Sequence, residues 1–178
     1  QNPEDWWTAV CHSTRELLQQ THVSKDDIAC ITFSGQMMGA VPLDKNARPL
    51  RNAIIWADQR SLAQEAWIGE RVSFEDMYQI SGHRLSASYS LAKILWIRDN
   101  QPGIYDATYK FVHAKDAMVA RMTGNFVTDP SDASSMNLYD ISTGKWSGKL
   151  LDAVDLPESK LPEIRQSVDV VGEVLATI

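Results

Sequence analysis

KFVHAKDAMVARMTGNFVTD, residues 110–129, is the stretch whose reading decides the fold class. Lys110 to His113 is a short strand-like run, and AKDAMVARMTG follows it directly as a helix closed by Gly124. NFVTD then returns to extended structure. Strand and helix in alternation indicate an α/β class with a mixed sheet.

The alternation continues on both sides. Upstream, SLAKILWIRDN reads as a helix capped by Ser90, with Leu91, Ile94, Leu95 and Ile97 or Arg98 as its buried stripe and Pro102-Gly103 as its end. Further upstream, Ala63, Ala66 and Trp67 fall at helical spacing, and Phe74 to Ile80 forms a second short helix broken by Ser81-Gly82. IACITF, Ile28 to Phe33, is a β-rich run leading into the loop SGQMMG. AVPL, Ala40 to Leu43, resumes extended structure. DKNA then turns the chain towards a return strand ending at AIIW, Ala53 to Trp56. The opening is a packing helix: Asn2 caps it, Pro3 suits its first turn, and Glu4 and Asp5 complement its dipole. Trp7, Val10, Thr14, Leu17 and Leu18 share one of its faces.

The chain has 178 residues, 44% apolar and 22% charged, which suits a single domain over 1–178. No repeat, low-complexity stretch or linker divides it. Seventeen Lys+Arg against 23 Asp+Glu give a formal charge of −6, with no basic block, so nucleic acid is not an expected partner. No apolar run approaches the length of a membrane span, and QNPEDWW lacks the regions of a signal peptide. The expectation is a soluble cytoplasmic protein. Cys11 and Cys30 form no disulfide framework and have no metal-ligand spacing. The first residue is Gln, and the chain ends on the apolar VVGEVLATI, so truncation at one or both ends is expected.

Known catalytic patterns are missing: no GxGxxG, GxxxxGK[ST], HExxH or GxSxG occurs. His12, His22, His83 and His113 are scattered, and none has a carboxylate or Cys at a convincing ligand spacing. Each is read as a surface or hydrogen-bonded structural histidine, with His83 set apart only by its polar loop. SGQMMG is more informative, because Gln36, Met37 and Met38 sit between glycines at a strand end, where ligands gather in α/β folds. Two thioethers filling a core gap are the alternative reading. WADQR adds Trp56, Asp58 and Arg60, a flat apolar face with a charged donor and acceptor. A polyhydroxylated ligand needs that combination. A buried Trp beside a surface ion pair is the alternative here.

Ser88-Tyr89-Ser90-Leu91-Ala92-Lys93-Ile94-Leu95-Trp96-Ile97-Arg98-Asp99-Asn100 resembles the first signature of the FGGY carbohydrate kinases. ITFSGQMMGAVPLD is similar to that family's segment ending in Gly-Gln-Met-His-Gly, and PLRNAIIWADQRS to its Pro-(x)-Ile-x-Trp-x-Asp-x-Arg segment. KDAMVARMTGNFVTDPSDASSMNLYDISTGKW and LPESKLPEIRQSVDVVGEV resemble the stretches that follow, in family order.

The resemblance implies an ATP-dependent kinase of a sugar or polyol, built from two domains of actin-like, ribonuclease-H-like fold around a cleft. It places this chain in the first domain, without its opening β-hairpin and the phosphate motif Asp-x-Gly-Thr. The general-base aspartate and the adenosine motif would lie beyond Ile178, in a second domain. The complete protein would use ATP and Mg²⁺, and neither is expected bound to this chain, which is expected to be inactive alone. What it supplies is a sugar-facing wall: Gln36, Met37, Met38, Trp56, Asp58, Arg60 and Ser88, with no catalytic residue and no metal ligand. Lys93 and Trp96 are read as holding the pocket loop in place.

In polyol-specific relatives Arg-Glu replaces Met37-Met38 and Tyr replaces Ser88, which disfavours glycerol. In xylulose-type relatives His stands at the position of Met38. A pentulose such as xylulose is the expected substrate class, and a homodimer is one assembly left open. Two other classes remain beside the kinase: a glycoside hydrolase, for which no carboxylate pair is singled out by spacing, and a non-catalytic sugar-binding or actin-like assembly domain.

Overall fold

The computed structural model describes residues 1–176; the last two residues of VVGEVLATI lie outside them. Helix α1, Pro3–Thr21, starts as expected, with Asn2 Oδ1 accepting from the Glu4 N–H at 3.2 Å. Trp6, Trp7 and Val10 pack on a smaller core built around Val41, Leu43, Val112 and Met118. The expected packing face is covered only in this first half: Thr14 and Leu17 are exposed.

IACITF is not a strand. Its backbone has no ladder partner among the described residues, and Ile28 and Ile31 are about half exposed. A strand requires a neighbour to take its N–H and C=O groups, and local composition cannot supply one.

Strand β1, Val41–Leu43, is followed by the expected turn, in which Asp44 Oδ1 accepts from the N–H groups of Asn46 and Arg48 at 2.8 Å each. The return is not a continuous strand. It consists of two isolated antiparallel bridges, Leu43 with Pro49 and Ala40 with Ile54; Pro49 has no N–H to continue a ladder.

Helices α2 (Leu62–Gly69), α3 (Phe74–Ser81) and α4 (Ser90–Asn100) come next. Gly82 ends α3 at φ 73°, a conformation glycine adopts without steric cost. Helix α4 stops before Pro102, as expected, yet Pro102 also opens α5, Pro102–Ala107.

The stretch 110–129 folds as read: β2 (Lys110–Val112), α6 (Ala114–Thr123, closed by Gly124 at φ 76°) and β3 (Val127–Thr128). Helix α7 (Pro130–Ser134), strands β4 (Tyr139–Asp140) and β5 (Lys145–Trp146), α8 (Gly148–Ala153) and β6 (Glu163–Ile164) complete the chain. Mixed pairing appears as three two-stranded units: β1 with β2 and β4 with β5 antiparallel, β3 with β6 parallel.

Helix α4 runs through the main core. Leu91, Ile94, Leu95 and Ile97 are fully buried among Ile68, Phe111, Met136, Leu138 and Leu150, each contributing about 1.5–3 kcal/mol of burial. Arg98 lies at the edge and donates to the Val154 carbonyl at 2.6 Å. This rigid helix carries the groups that hold both loops of the site.

Candidate functional site

The expected strand ends are loops, and one isolated backbone bridge brings them side by side. The Ala40 N–H donates to the Ile54 carbonyl at 2.9 Å, and the Ile54 N–H returns a bond to Ala40 at 3.1 Å. Continuing outward, Gly39 lies against Ile55, so Met38 and Trp56 occupy neighbouring ends. The approach is close: a Cβ on Gly39 would sit 3.2 Å from the Ile54 oxygen. Met38 itself is left-handed, at φ 62°. Trp56 is 54% exposed, so it is not the buried tryptophan of the alternative reading. Met37 and Met38 are half-buried rather than core plugs.

Asp58 and Arg60 form a forked ion pair, with Nε to Oδ1 at 2.9 Å and Nη2 to Oδ2 at 2.7 Å. The Arg60 hydrogen bonds hold the Asp58 carboxyl below its ordinary value, and the carboxylate raises the guanidinium in turn. Arg60 also lies over the Trp96 ring, 4.9 Å from its centroid, and Arg51 approaches the same ring at 5.5 Å. Trp96 is therefore a platform that fixes the cation of the second loop.

Ser88 is joined to this loop by Gln59, whose Nε2 donates to Ser88 Oγ at 3.0 Å. The backbone around Ser88 is held from below. Lys93, fully buried on α4, donates to the carbonyls of Ala87 at 2.8 Å, Ser88, and Tyr89 at 3.4 Å. Glu65 accepts from the Ala87 N–H at 2.6 Å. Burial lowers the Lys93 ammonium to about 8, against the pull of nearby Asp58. Its bonds are those of a loop-holding group, as expected.

The arrangement thus unites Met38, Trp56, Asp58, Arg60 and Ser88 through shared backbone and side-chain bonds. Gln36 turns elsewhere: its Nε2 donates to Gln1 Oε1 at 2.7 Å, the oxygen that also accepts from Trp6 Nε1. His83 meets Tyr89, with Nδ1 3.3 Å from the phenolic oxygen.

One cluster was not legible as a site. His113, Asp116 and Asp132 bring ligand-type atoms within 4.8 Å of one another, all buried; His113 is the expected hydrogen-bonded structural histidine, bonded to Ser90, with two carboxylates beside it that the sequence spacing does not indicate. Asp116 was three residues away in sequence and Asp132 nineteen, on a different helix. Sequence gave a signal only for Asp116, whose Oδ2 accepts from the His113 N–H at 3.2 Å.

Lys115 already occupies the cation position, with Nζ 2.8 Å from Asp116, 3.3 Å from Asp132 and 3.6 Å from Asp129. Burial works against its ammonium, yet the three carboxylates together hold it above the ordinary lysine value. Mg²⁺ retains several waters, and this buried, ammonium-filled set does not fit it.

A family profile described as the FGGY family of carbohydrate kinases, N-terminal domain, matches residues 1–178. A xylulose kinase of Bacillus subtilis is 34% identical over 175 residues, covering 98% of this chain and 35% of that protein. A crystal structure described as a xyloylose kinase from Brucella ovis superposes with TM-score 0.92 at 27% identity, over 100% of this chain and 37% of that one. A Plasmodium falciparum glycerol kinase with ADP superposes with TM-score 0.89 at 26% identity, over 99% and 36%. The chain spans about a third of the length of the relatives it matches. The xylulose and glycerol kinase structures are alike in identity to this chain, so overall similarity does not select a substrate. Among the described residues no helix is long and apolar enough to cross a membrane.

Proposed function

This chain belongs to the FGGY family of carbohydrate kinases, and from that premise we propose that the protein containing it phosphorylates a small sugar, a pentulose such as xylulose, with ATP and Mg²⁺ in the cytoplasm. Residues 1–178 are one domain's sugar-binding part. The observation that carries the proposal is the Ala40–Ile54 pair, which sets Met38 beside an exposed Trp56 with Asp58 and Arg60 two and four residues on. Trp56 offers a flat face to sugar C–H groups. Asp58, kept ionised by Arg60, only accepts, and so selects hydroxyl donors. Arg60 donates from a guanidinium already oriented by Asp58 and Trp96. Ser88, on a loop fixed by Lys93, both donates and accepts. Met37 extends the wall from the loop that carries Met38, whereas Gln36, on the same loop, is bonded to Gln1.

When bound, ATP supplies the phosphoryl group and Mg²⁺ balances its charge. This chain's residues contribute position: they hold the sugar still and exclude water from one side of it. The base and the phosphate-neutralising groups belong to parts of the protein outside these residues.

A coupled assay of ADP formation tests the reading. The complete protein should turn over with pentuloses and require Mg²⁺, whereas residues 1–178 alone should not exceed a no-protein blank. Sugar binding without turnover by the complete protein would instead fit a sensor or assembly domain, and glycosidic cleavage without ATP would fit a hydrolase.

A further inference from the structure

Ser90, the first residue of α4, is fully buried, and its Oγ lies 2.6 Å from the Gly39 carbonyl oxygen and 2.8 Å from His113 Nε2. A carbonyl only accepts, so the single hydroxyl proton goes to Gly39. Ser90 Oγ must then accept from His113, which puts a proton on Nε2. The other ring nitrogen, Nδ1, is buried without a hydrogen-bond partner and lies 3.6 Å from Asp132 Oδ2, an oxygen that also has Lys115 Nζ at 3.3 Å.

Lys115 and Asp116 from α6, Asp132 from α7 and Asp129 at its start form the neighbouring charged group, with three carboxylates around one ammonium. Of the charged side chains of α4, Lys93 is committed to the carbonyls of Ala87, Ser88 and Tyr89, so the Ser90 hydroxyl is left to His113 and Gly39.

We infer that His113 is a positioning residue for the sugar-facing loop: its Nε2–H donates to Ser90 Oγ, which commits the hydroxyl proton to the Gly39 carbonyl and so sets how Met38 is presented. The peptide between Gly39 and Ala40 is bound at both polar atoms, its C=O by Ser90 and its N–H by Ile54. The residue before it, Met38, is left-handed at φ 62°, a conformation that costs a side-chain-bearing residue about 1 kcal/mol or more and persists only where neighbours impose it. This inference rests on the reading that SGQMMG faces the sugar.

Two measurements on the complete enzyme test it. Nitrogen NMR of ring-labelled histidine, with His113 assigned by its loss in His113→Gln, should show Nε2 protonated at neutral pH. A bare Nε2 overturns the hydrogen bond to Ser90. In kinetics, His113→Leu should raise the sugar KM about tenfold or more, with kcat and the ATP KM changing less than about twofold. His113→Gln, whose amide still donates towards Ser90, should recover the sugar KM to within about threefold of wild type. Ser90→Ala should repeat the split seen in His113→Leu. An unchanged sugar KM in folded His113→Leu and Ser90→Ala, or equal impairment by Leu and Gln, overturns the positioning role. Should His113→Leu not fold, the NMR spectrum and Ser90→Ala still decide. Met38→His separates the two readings: if it leaves sugar preference unchanged, the sugar-facing reading fails. If it shifts preference while His113→Leu leaves KM alone, only this inference fails.

Discussion

Met38 presents a thioether, soft and at best a weak acceptor, from a left-handed position beside Trp56. A sugar hydroxyl pressed against it loses its water partner, at about 1–3 kcal/mol or roughly 5- to 150-fold in kcat/KM. The preferred sugar should therefore present a hydrogen-poor or differently configured carbon there. Histidine tolerates left-handed backbone better than most residues and supplies a donor. Met38→His in the complete enzyme should move preference towards D-xylulose, with kcat on the best substrate little changed; a collapse of kcat on every sugar with the ranking intact would place this loop in the chemical step.

Lys93 gives a pH-dependent prediction. Its folded value, about 8, lies below the ordinary lysine value of 10.5. Below about pH 8 both states carry the proton and the folded state bears the burial cost. Between about 8 and 10.5 the unfolded chain binds more protons, so stability attributable to Lys93 rises with pH and is complete above that window. Urea denaturation of wild type and Lys93→Met across this range should show the difference moving by about 1–3 kcal/mol in favour of wild type. A pH-independent difference would mean the ammonium is not desolvated as the structure has it.

Among the elements, the Ala40–Ile54 bridge is the one on which the site depends. Gly39→Ala places a methyl 3.2 Å from the Ile54 oxygen, so the paired ends must part by a few tenths of an ångström. That should cost about 1 kcal/mol in stability, as for a weakened backbone hydrogen bond, and raise the sugar KM; thermal denaturation and steady-state kinetics measure the two. An unchanged KM would show that the ends need not stay in register.

Elements with local signals were legible in the sequence. Helix α3 announced its end through Ser81-Gly82, α6 closed on Gly124, and the apolar stripe of α4 is buried as its spacing indicated. What depended on distant partners was not. Ser90 looked like a cap, yet its hydroxyl serves a carbonyl 51 residues away and Tyr89 holds the cap position. Residues 28–33 have strand composition without a strand neighbour. Of the proposed site, Trp56, Asp58 and Arg60 were legible by residue type and Met38 by its place in the loop before β1. Neither the Gln59 link to Ser88 nor the His113 network had a local signature.

At the scale of the whole molecule, one rigid helix, α4, serves three loops: Lys93 holds the Ser88 loop, Trp96 orients Arg60, and Ser90 holds Gly39. The proposed sugar-facing wall would thereby be anchored to the deeply buried helix α4, as catalysis by placement requires. Truncating Trp56, exposed at the wall and outside the core, should raise the sugar KM about tenfold, on the order of the stacking contribution of one aromatic ring, without lowering the melting temperature. The most direct test is a crystal structure of the complete protein with a pentulose bound. The account predicts sugar carbons in van der Waals contact with Trp56 and Met38, and a sugar hydroxyl within hydrogen-bond distance of Asp58 or Arg60. A sugar seated elsewhere, with Trp56 still open to solvent, would contradict it.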